Sequence, residues 1–216
     1  MISCQVREAA RGLTRPQLVE AGLDPVVFLS PCSPAGPEQN AEVSRRALQW
    51  AERRGCDLLF VEDDIDVDQE RFAEALHAAR KLDHITYLYL NDYPEKMGHQ
   101  YGGELKAKIL EGLPIEKTLH RVRHYRALYG TQCVYIPQRH VPVMLHKLRE
   151  DYYAPHHPFD GRLFKAVSKY SIPTYIAVPH PVQHRQDRTG RTPLAQQRIS
   201  RSYGLPATGN TYTPDG

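Results

Sequence analysis

The sequence predicts an α/β fold: a single domain with a mostly parallel central sheet flanked by helices. Three observations carry that prediction. Compact apolar runs recur at Val26–Leu29, Leu58–Val61, Ile85–Leu90, Cys133–Ile136 and Thr174–Val178. Segments with apolar residues at helical spacing fall between them. The first links are short, with turn residues such as Gly55 closing the helices. Strands alternating with helices are the pattern of βαβ units, whose right-handed crossovers put helices on both faces of a sheet.

Size and composition agree. The chain has 216 residues, enough for one well-buried core and long for two independent domains. Hydrophobic residues make up 41% and charged residues 25%, which excludes a wholly disordered chain. The net charge of +3, with eleven His, suits an anionic ligand such as a nucleotide without requiring nucleic acid. Cys4, Cys32, Cys56 and Cys133 show no two-residue spacing of a zinc knuckle or dithiol site, so reduced, inert thiols in an intracellular protein are expected. The start is too polar for a signal peptide, and no apolar run approaches the roughly 20 residues of a membrane span, so no membrane partner is expected.

Taken in order, Ile2–Val6 reads as a short strand, and a short helix begins near Pro16. The strand Val26–Leu29 runs into a Pro-rich loop, Ser30–Pro37. Asn40 is placed to cap a helix carrying Val43, Ala47, Trp50 and Ala51. The strand Leu58–Val61 precedes a helix with Phe72, Ala75, Leu76 and Ala79, and Asp66 and Asp68 suit that helix start, where negative charge is favourable. After Ile85–Leu90, the stretch from Asn91 to about Tyr125 is interrupted by Gly98, Gly102, Gly103, Gly112 and Pro114. It reads as an irregular segment of the kind that forms active-site lids. The strand Cys133–Ile136, a helix with Val141, Met144, Leu145 and Leu148, a loop over Tyr152–Phe159, a helix from near Asp160 and a last strand at Thr174–Val178 complete the pattern. The domain is assigned to residues 1–190. Residues 191–216 form a polar, Arg-containing tail whose last dozen residues are expected to dock weakly.

The chemistry concentrates at Glu62-Asp63-Asp64, with Asp66 and Asp68 close behind. Two carboxylates ~4 Å apart repel by about 4 kcal/mol near a protein surface. Such a cluster is fully solvated, takes up protons, or holds a cation. It leaves the C-terminal end of a core strand, where open α/β sheets bind ligands. An EF-hand is excluded: with Asp64 as position one, Gln69 stands where Gly is required and Ala75 where a bidentate Glu is required.

The order of these pieces resembles GT-A fold glycosyltransferases. The resemblance rests on Asn40 with Ala47-Leu48 and Ala51, on Leu58-Leu59-Phe60-Val61-Glu62-Asp63-Asp64, and on Gly130-Thr131 before the strand at Cys133. It continues in Pro158-Phe159-Asp160 before a helix and in Pro179-His180-Pro181-Val182-Gln183-His184. It is closest to small members with Glu-Asp-Asp in place of Asp-X-Asp, and it runs in family order over most of residues 1–190. It implies a GT-A-like fold and transfer of a sugar from a nucleotide-diphosphate sugar, UDP-sugar being the expected donor. Asp64 would ligate Mn2+ or Mg2+, with His184 as an imidazole ligand and His180 as its competitor. Asp63 would contact ribose or metal, and Glu62 would support them. Gly130 and Thr131 would lie beside the sugar, and Asn40 near the nucleotide. Arg7 would meet a uracil or phosphate edge, or stand in solvent. Asp160 is the candidate general base, which would imply inversion, and is equally suited to cap its helix.

Three features suggest a polyanionic acceptor: the basic segment His120–Arg126, the pair His156-His157, and the Arg-rich tail. A hydroxymethylated base in DNA, flipped out of the stack, is one such acceptor, as in phage DNA-modifying relatives. The competing readings are a metal-dependent phosphoesterase or nuclease, and a non-catalytic nucleotide or nucleic-acid binding module.

Overall fold

The apolar runs form the sheet and the amphipathic runs cover it. The computed structural model describes residues 15–26, 28, 37–62, 65–91, 94–122, 128, 130–149, 159–184 and 200–215. In chain order the helices are α1 (residues 15–20), α2 (Pro37–Arg54), α3 (Gln69–Leu82), α4 (Pro94–Glu111), α5 (Val141–Arg149) and α6 (Phe159–Lys169). The strands are β1 (Leu58–Val61), β2 (Ile65–Val67), β3 (Ile85–Tyr87), β4 (Ile115–Arg121), β5 (Cys133–Ile136), β6 (Thr174–Val178), β7 (Val182–His184) and β8 (Ala207–Pro214). Six strands form one sheet in the order β1-β5-β3-β6-β4-β8, and β2 and β7 form a separate antiparallel ribbon.

The expected α/β class holds, with a central sheet flanked by helices in one domain. The sheet itself is mixed rather than mostly parallel. β3 pairs parallel with β6 and β4 with β8, whereas β5 runs antiparallel to both β1 and β3, and β4 antiparallel to β6. The cause is β5, which returns from a long excursion and inserts between β1 and β3. Apolar runs report that strands are buried and say nothing of their direction.

Side-chain alternation along the strands divides the core in two. Leu58 and Phe60 of β1, with Val134 and Ile136 of β5, face α2, α4, α5 and α6. Leu59, Val61, Cys133 and Tyr135 face the opposite way, toward α1, α3 and the β2–β7 ribbon. The half-buried Lys117–Glu74 ion pair, at 2.7 Å, ties α3 to β4 beneath that second layer. Cys133 is fully buried, and burial pushes its thiol and that of Cys56 up, consistent with inert thiols.

Several element boundaries differ from expectation. α2 starts at Pro37, where proline suits a first helical turn, so Asn40 lies in that turn instead of capping it. Asp68 does cap α3, its carboxylate accepting from the Arg71 amide at 3.2 Å, while Asp66 lies in β2. The stretch expected to be irregular is α4 and β4. Met97, Tyr101 and Ile109 bury one face of α4, and the glycines leave only a kink, at Gly102 with φ 77° and ψ 173°. The tail expected to dock weakly forms β8, parallel to β4 at the sheet edge, with Asp215 beyond it bonded to His120. The first strand, half of the second and residues 30–36 of the loop after it lie outside the described residues. Among the described residues no helix is long and apolar enough to cross a membrane.

A histidine cluster closes the N-terminal end of β3 and β6. The His84 ring stacks on Tyr175 at 5.6 Å and on His140 at 6.5 Å, and the Arg139 guanidinium donates to His84 Nδ1 at 3.0 Å. Burial, and then the Arg139 charge, hold both imidazoles below their ordinary value of 6.5. The folded state therefore binds fewer protons than the unfolded chain as pH falls through 6.5. Stability contributed by the neutral rings is present above that pH and is lost on acidification toward the lowered values.

Two outcomes are expected. Phe72→Ala, which empties a fully buried site in the second core, lowers the unfolding free energy by about 3–5 kcal/mol in urea denaturation. Unfolding free energy measured against pH falls below about pH 6.5, and the double change His84→Gln with His140→Gln flattens that slope.

Candidate functional site

β1 and β5 bring two of the sequence motifs together. Val61 lies opposite Cys133, and the ladder runs one step further: the Glu62 amide donates to the Gln132 carbonyl at 2.8 Å. Thr131 Oγ1 then reaches Glu62 Oε1 at 3.5 Å, a long contact. Glu62, Gly130 and Thr131 thus meet at the C-terminal end of β1. Asp63 and Asp64 lie outside the described residues, between Glu62 and Ile65. Arg7 also lies outside them.

Gly130 is required by its backbone. Its φ is +101°, and a Cβ there would stand 2.6 Å from Gln132 Oε1, 3.2 Å from Asn91 Nδ2 and 3.3 Å from Tyr89 Cε1.

The presence of Tyr89 at this point follows from an irregularity at the end of β3. The amides of Leu88 and Tyr89 both donate to the Cys133 carbonyl, at 3.0 and 3.3 Å, so two residues oppose one as in a β-bulge. Strict alternation would send Tyr89 to the same side as Tyr87. Instead Tyr89 shares the second core with Leu88, and Leu90 returns to the first. The bulge turns the Tyr89 ring toward Gly130 on one side and two histidines on the other. Its hydroxyl donates to Asn91 Oδ1 at 2.8 Å, and Gln100 Nε2 donates to the Asn91 carbonyl at 3.0 Å.

His184 approaches from the ribbon. The register of β2 with β7 sets it opposite Ile65, one residue beyond the acidic motif. It is 2% exposed, and its ring lies 6.5 Å from that of Tyr89. His180 is held differently. It is fully buried, its Nε2 hydrogen-bonds the Tyr101 hydroxyl at 3.0 Å, and its Nδ1 hydrogen-bonds Ser200 Oγ at 2.6 Å. Its amide donates to Ser202 Oγ at 3.1 Å. Both ring nitrogens are engaged by hydroxyls, so His180 has no lone pair to offer a metal. Burial, reinforced by Asp68 and Asp66, pushes the nearby Tyr203 hydroxyl up, a sign of the negative field along β2.

Other candidates lie on other elements. Asp160 lies in the first turn of α6, in the layer that packs against α2 and α5. Asn40 lies in the first turn of α2. His120, expected on a basic surface, turns inward to bond Asp215 Oδ2 at 2.6 Å. His156, His157 and residues 123–127 lie outside the described residues. Among the described residues, no group of three or more His, Cys, Asp or Glu side chains is placed to hold a metal ion.

Sequence reasoning missed Tyr89, Asn91, Gln100 and Gln132. One signal pointed to Asn91: it leaves an apolar strand run at once, as Glu62 leaves β1.

The close approach at Gly130 has a measurable consequence. Gly130→Ala lowers the unfolding free energy by about 1–3 kcal/mol, from the strained φ and the crowded Cβ. Gly103→Ala, in a helix with open space around the new methyl, raises it by roughly 0.5–1 kcal/mol. Parallel denaturant melts read the opposite signs.

No family model matches the chain, and no curated protein does. Among solved structures, the crystal structure of A197 from STIV is similar over 85% of this chain and 83% of that one, at 13% identity and a TM-score of 0.47. A glycosyltransferase involved in the glycosylation of the major capsid of PBCV-1 is similar over 81% of this chain and 80% of that one, at 14% identity and a TM-score of 0.39.

Proposed function

We propose that the chain is a metal-dependent glycosyltransferase that moves a sugar from a nucleotide-diphosphate sugar, UDP-sugar first among the donors, to an acceptor hydroxyl. The observation that carries this reading is the meeting of Glu62, Gly130-Thr131 and His184 around Tyr89, next to Asp63-Asp64 in the chain. These motifs are scattered over more than a hundred positions. The resemblance to GT-A enzymes assigns all of them to one site, and their convergence supports it.

The donor set suits a divalent cation. Carboxylates from Asp63-Asp64 with an imidazole are oxygen and nitrogen ligands of the kind that hold Mn2+ or Mg2+. Asp64 and His184 would hold the ion, and His180, with both nitrogens engaged, would not. Such an ion, when bound, offsets negative charge on the departing diphosphate. The remaining work belongs to the chain. Glu62, bonded through its backbone to Gln132, fixes the start of the acidic loop. Gly130 and Thr131 would lie beside the sugar. Asp160 would take the proton from the attacking hydroxyl, which makes the transfer inverting. Arg7 and Asn40 are assigned to the nucleotide. The acceptor tested first is a hydroxymethylated base in DNA.

The test is a thermal-shift panel of UDP-, GDP- and TDP-sugars with and without Mn2+. At a ligand concentration 100-fold above Kd, one donor raises Tm by roughly 5–10 °C in the presence of metal. With that donor, Asp64→Asn removes the metal-dependent part of the shift and slows release of the nucleoside diphosphate by about 100-fold or more. No shift with any sugar nucleotide, together with cleavage of DNA or a phosphodiester, would replace this reading by a phosphoesterase. Unchanged ligand binding in Asp64→Ala and Asp160→Ala would replace it by a binding module.

A further inference from the structure

A groove lies at the far end of β1 from the site described above. Asp57 precedes β1 and Glu62 follows it, so the two ends are about 16 Å apart along the strand. The groove has a volume of about 490 Å³ and opens to solvent. That is room for a small molecule. His77, Arg80 and Lys81 of α3 line it, together with Asp57, Asp83 and the buried Tyr135 of β5.

The three basic side chains stand three and four positions apart on α3, which puts them on one face of the helix. None of them forms a hydrogen bond or an ion pair among the described residues. The two carboxylates, by contrast, are already engaged. Asp57 Oδ2 accepts from the Tyr135 hydroxyl at 2.8 Å, and its Oδ1 accepts from the Gln138 amide at 2.9 Å. The Tyr135 hydroxyl is pushed up by burial and by Asp57, so it stays protonated and keeps that bond, while the Arg80 charge acts on it in the opposite sense from close by. Asp83 Oδ2 pairs with Arg139 Nε at 3.2 Å. A guanidinium and an ammonium thus line one cavity with no carboxylate paired to either. Positive charge in the last turn of a helix is favoured by its dipole, which accounts for Arg80 and Lys81 one at a time. It does not account for His77, a turn earlier, or for the cavity that all three share.

The lining selects the chemistry of a ligand. A group with close to two negative charges and three acceptor oxygens matches a guanidinium fork, an ammonium and an imidazole donor. Asp57 and Asp83 limit the groove to one such group, because a polyanion would bring further charge against them. We infer that this groove binds a single phosphate group, carried by a small monoester or free in solution. Arg80 and Lys81 are its charge partners, and His77 is a further donor. The groove is separate from the residues assigned to the sugar nucleotide and does not depend on that assignment.

The experiment is calorimetry in metal-free buffer at constant ionic strength, with inorganic phosphate, ribose 5-phosphate and ribose as probes. It compares the full chain with the double change Arg80→Gln and Lys81→Gln, with Lys81→Glu, and with Asp64→Asn. The wild type binds the phosphate probes at one site with Kd below about 1 mM and does not bind ribose. The double variant weakens that binding at least about 10-fold, Lys81→Glu weakens it by reversing one charge, and Asp64→Asn leaves it within about twofold. Arg80 and Lys81 are exposed, so both groove variants keep the wild-type Tm within a few degrees. Tighter binding of the ester than of phosphate identifies a monoester as the ligand, and equal affinity identifies the free ion; both uphold the site. A wild type that binds neither phosphate probe overturns the inference, as does a double variant that binds like the wild type. Loss confined to Asp64→Asn would move the anion to the acidic loop and overturn it as well.

Discussion

The Cys133 carbonyl accepts two amides, from Leu88 and Tyr89, and the site depends on that doubling. Without the bulge, Tyr89 would continue the alternation of β3 and bury its ring in the layer under α2 and α5. With it, the ring crosses to the other face and becomes the surface shared by Gly130, Asn91 and the two histidines. The insertion of β5 between β1 and β3 makes this arrangement. One edge of β5 carries the Gln132 carbonyl to Glu62, and the Cys133 carbonyl on the other edge bends β3. A single strand thus aligns the acidic loop, the glycine loop and the tyrosine.

The two histidines of the segment Pro179–His184 divide between scaffold and site. His180 is enclosed by Tyr101, Ser200 and Ser202, so it joins α4, the β6–β7 link and the C-terminal segment. Tyr212 reinforces the junction by donating to the Pro179 carbonyl at 2.6 Å. His184, four residues on, hangs from the ribbon opposite Ile65. The ribbon is short, and its position is set by the fixed point at His180 and by the capped start of α3 at Asp68, whose amide donates to the Pro181 carbonyl at 2.9 Å.

Much of this was legible in the sequence, for identifiable reasons. β1, β5 and β6 are apolar on both faces, and α2, α3, α5 and α6 carry clear helical periodicity, so local pattern and tertiary burial agree. Glu62, Gly130, Thr131 and His184 were named through the resemblance to GT-A enzymes, and they stand at or beside strand ends, with Glu62 just after β1, Gly130 and Thr131 just before β5, and His184 closing β7. Other elements were hidden. β2 and β7 have three residues each, too few for a period to show. β8 is Thr-rich and largely exposed, as an edge strand can be, and so resembles a loop in composition. α4 was obscured because packing of Met97, Tyr101 and Ile109 overrides the glycines. Tyr89 was out of reach, since a bulge is created by the partner strand and leaves no mark in its own residues.

The edge made by β4 and β8 bears on how the chain matures during translation. β4 has β6 on one side and receives its other neighbour only from residues 207–214. The seam is locked by Asp215, which accepts from the Arg121 amide and bonds His120. Until the ribosome releases that stretch, the nascent polypeptide carries an open β4 margin with a row of unsatisfied amides and carbonyls. Parallel pairing between such distant segments forms late. The sheet therefore acquires this border only once residues 207–214 have emerged, and chaperone shielding of the unfinished margin would matter most before then.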